Sequence, residues 1–433
     1  MIPAISRFDP ALAREALLNL ARYMDRTGRV CHRRLLSGQP VDRGHSDESY
    51  WFVIAVVQYL RNTHDLGILA ERVPYLDNKL ISEYSLFTDP DWVRRYDAKA
   101  IDPARFTPET TMLEHARRTL RDVQFGVHGL PLMEDGDWND ALNGMREGGE
   151  SVMNAGLYAY SLREMNDLWR ELGQAKVDEL LGANSYRNDL AEFDQKYQTT
   201  KRAVNEHAWD GHWYVRGFTN KGEAFGSNAN AAGKIYLNAQ SWLILAGIPD
   251  QARTQSILDS VNRYLVNRDK VSMLSPAYRS PDSSIGNITR LPPGSNENGG
   301  QWRQCTLWWI HAIAKLGEQQ RSDRLFSELL LANADITTMK TEPYLYNEYL
   351  RGPEAKDPGS AGQQAHVQQA ALVLDELAQR YSAVTITGKL VPVYDYPGLK
   401  SEDKLYTITG TGQLVPWTAK WIENPSEFDV SVR

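Results

Sequence analysis

The chain has 433 residues, of which 42% are hydrophobic and 24% charged, and these ordinary globular values exclude wholesale disorder and a collagen-like repeat. Its 48 basic and 55 acidic residues give a formal charge of −7, which argues against a general nucleic-acid or anionic-membrane surface. No apolar run approaches the roughly 18 residues of a membrane span, so the composition predicts a water-soluble protein.

The N-terminal segment, residues 1–23, mixes charged and apolar side chains at helical spacing. It lacks the apolar core and the small-residue cleavage site of a secretory signal. The two cysteines, Cys31 and Cys305, are too few for a disulfide framework or a four-ligand zinc site. These observations predict a cytoplasmic protein with free thiols, no metal and no cofactor.

Apolar side chains recur at positions i, i+3, i+4 and i+7 through most of the chain, which is the period of amphipathic helices. The pattern predicts helices over residues 9–25, 49–63, 110–122, 151–172, 191–209, 239–246, 250–266, 301–316, 321–331 and 363–381. Twelve helices at about 30 residues per helix and loop would fill an (α/α)6 barrel. A stack of helical pairs fits the same arithmetic, although no fixed-period repeat marks a solenoid.

Long loops rich in Gly and aromatic residues separate these helices, at 126–149, 210–233, 272–300 and 341–362. Loops longer than about 12–15 residues are usually functional or disordered, and disordered loops seldom contain so many Trp and Tyr. We therefore expect ordered loops gathered on one face. The 12 Trp and 21 Tyr of the chain suit stacking on sugar rings, although a large aromatic core would use them equally.

Near residue 385 the sequence changes to β-type runs broken by Gly and Pro, at 383–387, 390–394, 404–409 and 428–432. The fold class predicted is therefore all-α with a small β appendage. We expect an (α/α)6 barrel over residues 1–385 and a small β-rich segment over residues 386–433.

The chemistry available to the chain is mainly that of carboxylates in aromatic loops, because no nucleotide-binding, zinc-protease or CxxC motif occurs. The densest cluster holds Glu134, Asp135, Asp137 and Asp140 around Trp138. Such carboxylates repel one another unless some are paired or protonated. A carboxyl that stays protonated near neutral pH is what a general acid requires. A calcium loop or a solvated acidic turn would show the same residues.

Two further loops carry carboxylates. Glu297 lies in a Gly-rich turn at 292–302 and heads a predicted helix, where it would meet a ligand or only cap the helix. Glu342 and Glu348 lie among three tyrosines, one of which is Tyr344. A packed aromatic corner is equally consistent with that run.

Several motifs occur in the order found in one known family. They are Gly-Asp-Trp-Asn-Asp at 136–140, Gly-Glu-Ser-Val at 149–152, Trp-Asp-Gly-His-Trp-Tyr at 209–214, Glu-Asn-Gly-Gly at 297–300 and Glu-Pro-Tyr at 342–344. Over residues 40–375 the chain resembles the catalytic domain of glycoside hydrolase family 94. This family contains the cellobiose and chitobiose phosphorylases and the phosphorylase part of cyclic β-1,2-glucan synthase.

The resemblance implies an (α/α)6 barrel that cleaves β-glucosidic bonds with anomeric inversion. Inorganic phosphate would attack the sugar as co-substrate, and the products would be a sugar and a sugar 1-phosphate. By motif match, Asp140 is the acid that protonates the leaving oxygen, and Trp138 and Asp137 are expected to contact substrate.

Further substrate contacts are implied by the same resemblance. Asp47 and Glu48 fall where the family binds the non-reducing sugar, although the family has Asp-Asp there, so Glu48 is a departure. Glu297 and Tyr344 are expected at the same site. The sequence would begin where the barrel of the family begins, without the large N-terminal β-sandwich, so the oligomeric state stays open.

The phosphate site of the family is altered in this sequence. A phosphate-binding His of the family is Gln304 here, and the Thr-Gly pair falls at Val367-Gln368 or, in another register, within 358–362. The Thr hydroxyl is absent in both registers. Charge-assisted hydrogen bonds are about twice as strong as neutral ones, so phosphate affinity is expected to fall. Arg303 is adjacent to Gln304 but would point elsewhere on a helix.

Three functions remain consistent with the sequence. The preferred one is a glycoside phosphorylase with an unusual phosphate site. The second is an inverting hydrolase, which needs a general base roughly 6.5–9.5 Å from the acid; Glu342 is preferred as that base over Glu348 and Glu297. The third is a non-catalytic sugar-binding protein, against which the intact Asp140 motif argues.

Overall fold

The computed structural model describes residues 1–30, 45–76, 109–121, 123–146, 148–342, 345–363 and 366–381, together with short strands outside these ranges. Tyr344, the side chain of Val367, Cys31 and the predicted strand at 428–432 lie outside the described part. What the sequence predicts for them stays a prediction.

Helices form the framework of the described chain. In order they are α1 (Ile2–Phe8), α2 (Pro10–Arg22), α3 (Glu48–Thr63), α4 (Met112–Arg118), α5 (Val152–Leu181), α6 (Ser185–His207), α7 (Leu237–Ala246), α8 (Gln251–Tyr264), α9 (Arg303–Lys315), α10 (Gln319–Ser327), α11 (Ile336–Met339) and α12 (Val367–Tyr381). Each helical stretch predicted from periodicity coincides with one of them. Gly173 breaks α5 with φ of 77°, a conformation that glycine adopts readily.

Six of the described helices pack into a closed ring in the order α1, α3, α5, α7, α9 and α12. The ring closes where α12 returns to α1, and there Arg7 Nε donates to Asp375 Oδ1 over 2.9 Å. Helices α2, α4, α6, α8 and α10 alternate with the ring helices along the chain and pack against them. This alternation is that of an (α/α)6 barrel, so the all-α barrel prediction is confirmed. An open stack is excluded because its first and last helices would not touch.

Burial distinguishes ring helices from their outer partners. All ten residues of α7 are buried, as expected for a helix surrounded by protein. Its neighbour α8 buries one face only, and the Asp250 carboxylate caps its first turn by accepting from Arg253 N over 2.8 Å. The barrel core therefore lies between the two layers and within the ring.

Short strands order the loops that join the helices. The strands are Arg33–Arg34, Pro40–Asp42, Arg72–Val73, Ile81–Ser82, Thr110–Thr111, Glu150–Ser151, Gly217–Phe218, Ala224–Phe225, Ile235–Tyr236, Val266–Asn267, Lys270–Val271, Leu274–Ser275, Gln301–Trp302, Tyr349–Leu350, Ala361–Gly362, Ala383–Val384, Leu390–Val391, Lys404–Ile408 and Leu414–Thr418.

One three-stranded antiparallel sheet matters for the site. Its central strand Tyr349–Leu350 pairs on one side with Gln301–Trp302 and on the other with Ala361–Gly362. Tyr349 lies opposite Trp302 in this register. The sheet therefore holds the 341–362 loop against the start of α9.

The C-terminal residues contain paired strands. Ala383–Val384 pairs with Leu390–Val391, and Lys404–Ile408 pairs with Leu414–Thr418. The division into a barrel over residues 1–385 and a β-rich segment over residues 386–433 stays a prediction. None of the described helices is both long enough and apolar enough to cross a lipid bilayer.

Candidate active site

A cavity of about 720 Å³ lies within the helical ring. Its described lining includes two histidines and seven carboxylic side chains, namely His45, His311, Asp47, Glu48, Asp140, Glu297, Glu348, Asp375 and Glu376. None of the described lining residues is Lys or Arg. A cavity of this size suits a small molecule, and its carboxyl groups favour a ligand with many hydroxyl groups over an anion.

Asp140 lies at the wall of this cavity with a side chain that is 44% exposed. Its Oδ1 is 3.3 Å from His45 Nδ1, and the same nitrogen is 3.8 Å from Glu48 Oε1. The imidazole therefore lies between the expected acid and an expected sugar-binding carboxylate. His45 was not among the residues predicted from the sequence, although it directly precedes the Ser-Asp-Glu run that holds Asp47 and Glu48.

Asp137 is fully buried and is not among the residues that line the cavity. The expectation that it contacts substrate gains no support from this position and stays a prediction. Arg216, which is also fully buried, donates to both of its carboxylate oxygens over 2.5 and 2.7 Å. Ser151 Oγ donates to Oδ2 over 2.5 Å. Burying a carboxylate is costly unless it is paired, and this pairing gives Asp137 a structural role beneath the loop.

Asn139 connects the loop that holds Asp140, called here the acid loop, to the ion pair of Asp137 and Arg216. Its Oδ1 accepts from Arg216 Nη2 over 2.9 Å and from Asn238 Nδ2 over 2.7 Å. Its Nδ2 donates to Glu297 Oε2 over 3.1 Å. Because Asn139 precedes Asp140, these bonds fix the backbone from which Asp140 projects into the cavity.

Glu297 is held on the other side of the acid. Its Oε2 also accepts from Ala141 N over 3.3 Å, so bonds from the residues before and after Asp140 converge on one oxygen. Burial raises the pKa of Glu297 to about 8, and the negative charge of Asp140 adds to this shift. Burial therefore favours the protonated form of Glu297 near neutral pH, and this residue is among those that line the cavity.

Asp47 and Glu48 begin helix α3 and both line the cavity. Asp47 Oδ2 accepts from Trp51 Nε1 over 2.6 Å. Burial raises the pKa of Asp47 well above its usual value, with further contributions from Glu48 and Asp137. The potential ligand atoms of His45, Asp47 and Glu48 lie within 4.8 Å of one another. A cation there would have to displace the proton that burial favours on Asp47. The expectation that the protein holds no metal stays a prediction.

Five tryptophans line one continuous wall of the cavity: Trp51, Trp138, Trp242, Trp302 and Trp308. Trp51 and Trp308 stack with ring centroids 5.5 Å apart, and Trp138 meets Trp302 and Trp308 edge-on at 5.0 and 5.1 Å. Of these, only Trp138 was expected at the sugar site. The signal for Trp51 and Trp308 is their spacing, since each follows a cavity-lining polar residue by one helical turn.

Glu342 is exposed and is not among the residues that line the cavity, so the preference for it as a general base gains no support here and stays a prediction. Glu348 does line the cavity, and its Oε1 lies 3.1 Å from His366 Nε2. Burial raises the pKa of Glu348 to about 7, and the nearby charge of Asp140 adds to the shift. The loop therefore offers a different carboxyl from the one that the sequence favoured.

Some of the residues expected at an altered phosphate site lie in the described part of the chain. Gln304 and Gln368 line the cavity. Arg303 points away from it, because its Nε donates to Asn347 Oδ1 over 2.6 Å and its Nη1 to Leu329 O over 3.3 Å. Arg303 therefore does not replace the charge that a His at position 304 would supply.

Comparison with known proteins gives one family match. Residues 97–377 match the family described as the Glycosyl hydrolase 94 superfamily, catalytic domain. A solabiose phosphorylase of Paenibacillus borealis is 31% identical over 356 residues, which cover 81% of this chain and 41% of that protein.

Two further relatives show the same pattern of coverage. An N,N'-diacetylchitobiose phosphorylase of Vibrio furnissii is 28% identical over 325 residues, covering 73% of this chain and 35% of that protein. The cyclic beta-(1,2)-glucan synthase NdvB of Rhizobium meliloti (strain 1021) is 30% identical over 354 residues, covering 78% and 12%. This chain therefore spans less than half the length of each of these relatives.

Proposed function

The chain belongs to the glycosyl hydrolase 94 superfamily, and from that premise we propose that it is an enzyme of the glycoside phosphorylase type that cleaves β-glucosidic bonds with inversion. The observation that carries the proposal is the placement of Asp140. A half-exposed carboxyl projects into a tryptophan-lined cavity from a loop fixed by Asn139 and Glu297.

The geometry supports a division of roles among the cavity residues. Trp138 and its neighbours offer apolar faces on which the sugar rings stack. Asp47 and Glu48 bind sugar hydroxyl groups. A hydroxyl group donates a hydrogen bond to a carboxylate and can accept one from a protonated carboxyl, so either form binds it. Asp140 protonates the glycosidic oxygen as the bond breaks, because an alkoxide is a poor leaving group without a proton.

Phosphorolysis is supported by the relatives, since two of the three compared above are named as disaccharide phosphorylases. In this reaction inorganic phosphate is the co-substrate and attacks the anomeric carbon opposite the leaving oxygen. The products are a sugar and an α-sugar 1-phosphate.

Hydrolysis is a second candidate because the described cavity suits a dianion poorly. Gln304 is neutral where the family has a phosphate-binding His, and Arg303 points away. Seven carboxylic side chains line the same cavity. Ionised carboxyl groups would repel a phosphate dianion, whereas water carries no charge and would not be repelled.

A product assay tests the proposed function. We expect cleavage of at least one of cellobiose, sophorose, laminaribiose and N,N'-diacetylchitobiose. Sugar 1-phosphate formed only with added phosphate identifies a phosphorylase, and free sugars formed at a phosphate-independent rate identify a hydrolase. Absence of cleavage of all four with and without phosphate would contradict the proposed function for these linkages.

Gln304→His is expected to lower the Michaelis constant for phosphate, because an imidazolium adds a charge-assisted hydrogen bond. Such a bond contributes about 1.5–3 kcal/mol, so the constant should fall by roughly 10- to 100-fold. Steady-state kinetics at varied phosphate concentration measure the change. Gln58→His is the control, since it adds an imidazole to the same cavity about 15 Å further along α3 from Glu48. An equal response of both variants would contradict a phosphate position at residue 304.

A further inference from the structure

Backbone hydrogen bonds hold Glu348 near the N-terminal ends of two ring helices. Its N–H donates to Gln363 O over 3.0 Å, and its carbonyl accepts from Arg303 N over 3.3 Å. Arg303 begins α9, while Gln363 lies shortly before α12. Glu348 thus lies where the first residues of both helices meet, and Gln304 and Gln368 face the same cavity there.

His366 completes a pair with this carboxyl. Its Nε2 lies 3.1 Å from Glu348 Oε1, and its backbone N–H donates to Tyr346 O over 2.7 Å. Nδ1 is buried and has no hydrogen-bond partner among the residues that the structure describes. Burial lowers the pKa of His366, so the ring is neutral at neutral pH. Nε2 is the ring nitrogen that faces the Glu348 carboxylate, and a proton on it would be placed to orient that group.

The surroundings of the pair favour a neutral reactant. Gln304 and Gln368 supply amide donors and acceptors without charge, and Glu348 itself is an anion when deprotonated. Asp140 is close enough for its charge to raise the pKa of Glu348. A phosphate dianion at this position would meet carboxylates, whereas a water molecule would meet an acceptor for its proton.

We propose that the site also hydrolyses β-glucosides when phosphate is not bound, with Glu348, held next to His366, as the general base that activates water for attack on the anomeric carbon. This inference rests on the proposed function in that Asp140 supplies the proton to the leaving oxygen. Glu348 is the catalytic residue of the pair and His366 is a positioning residue.

The step balances in atoms and charge. A water O–H proton passes to the Glu348 carboxylate as the water oxygen forms a bond to the anomeric carbon. The glycosidic bond breaks, and its electron pair takes the proton of Asp140. The products are an α-configured free sugar and an alcohol, and both carboxyl groups return to their starting states by proton exchange with solvent.

A carboxyl with a pKa of about 7 is suited to this role. The most effective general base has a pKa near the working pH, because it is then both deprotonated and basic. The neighbouring imidazole, with Nε2 3.1 Å from Oε1, is close enough to hold this carboxylate in place.

The test uses 2,4-dinitrophenyl β-glucoside in phosphate-free buffer, because its leaving group departs without a proton and the acid is not needed. Glu348→Gln is expected to lower the rate by about 10²–10⁴-fold, the range for loss of a general base. Glu348→Ala leaves space for sodium azide, which should restore the rate and yield α-glucosyl azide. Glu223→Ala is the control, since Glu223 is exposed and outside the cavity.

The role of His366 has its own readout. His366→Ala is expected to slow hydrolysis by about 10- to 100-fold, the contribution of a hydrogen bond to a charged group. His366→Gln should recover part of the loss, because its amide N–H donates to Glu348. The pH at which the rate rises should also increase in His366→Ala, since the carboxylate loses a donor that favours its charged form.

Four results would overturn the inference. Wild-type protein that cleaves β-glucosides only when phosphate is added would refute water activation and leave the proposed function intact. A loss caused by Glu342→Ala in place of Glu348→Ala would give the role to a different residue, as would absence of α-glucosyl azide. Wild-type protein inactive on disaccharides and aryl glucosides alike would contradict both the inference and the proposed function.

Discussion

Asp140→Asn is expected to lower kcat/KM for a β-linked disaccharide by about 10²–10⁴-fold, the range for general-acid catalysis. The carboxamide keeps the shape of the side chain and its place beside His45, but it has no acidic proton to give. Without that proton the glycosidic oxygen would have to leave as an alkoxide. Initial rates of sugar release from the substrate found in the product assay measure the loss.

The same variant should keep most of its activity on 2,4-dinitrophenyl β-glucoside, whose leaving group needs no proton. Asp135→Asn is a matched control in the same loop, because Asp135 pairs with Arg146 and does not line the cavity. If Asp140→Asn lost activity equally on both substrates, the residue would be needed for binding or structure, and its assignment as acid would fall.

Arg216→Met is expected to reduce the free energy of unfolding by about 3–5 kcal/mol, the cost of leaving a buried charge without its partner. Arg216 and Asp137 are both fully buried, and Arg216 also donates to Asn139. Removal of the guanidinium therefore strands a carboxylate inside the protein and loosens the acid loop. Urea unfolding followed by tryptophan fluorescence measures the change.

Arg170→Met serves as the control for this prediction. Arg170 pairs with Asp167 at the surface, where both side chains are more than half exposed, and such pairs contribute about 0–1 kcal/mol. The double variant Arg216→Met, Asp137→Asn should regain part of the stability, because no buried charge is then left alone. A change below about 1 kcal/mol in Arg216→Met would contradict the structural role of the pair.

The fold was largely predictable because helix periodicity is local. Apolar residues at i, i+3, i+4 and i+7 mark the faces that pack in two layers, and the count of helices suggested a barrel. This local pattern does not predict that the ring of helices closes. Closure depends on α12 meeting α1, a contact between residues 368 positions apart such as Arg7 and Asp375.

Residues of the candidate site were predictable only where they belong to a recognisable sequence motif. Asp140 was singled out by its place in Gly-Asp-Trp-Asn-Asp, whereas the burial of the neighbouring Asp137 could not be predicted because its partner Arg216 lies 79 positions later. The composition of a loop shows which residue types it contains, but not which way their side chains point. The sequence analysis preferred Glu342 over Glu348, but pairing of Tyr349–Leu350 with strands on both sides places Glu348, and not Glu342, in the lining of the cavity.

The most direct test of the proposed inverting cleavage is proton NMR of the first product formed from a β-linked disaccharide, recorded before mutarotation. Inverting cleavage with Asp140 as the acid predicts that the new anomeric centre is α, as α-sugar 1-phosphate with phosphate or as α-sugar with water. A product that appears first as the β anomer would show retention of configuration and contradict the account.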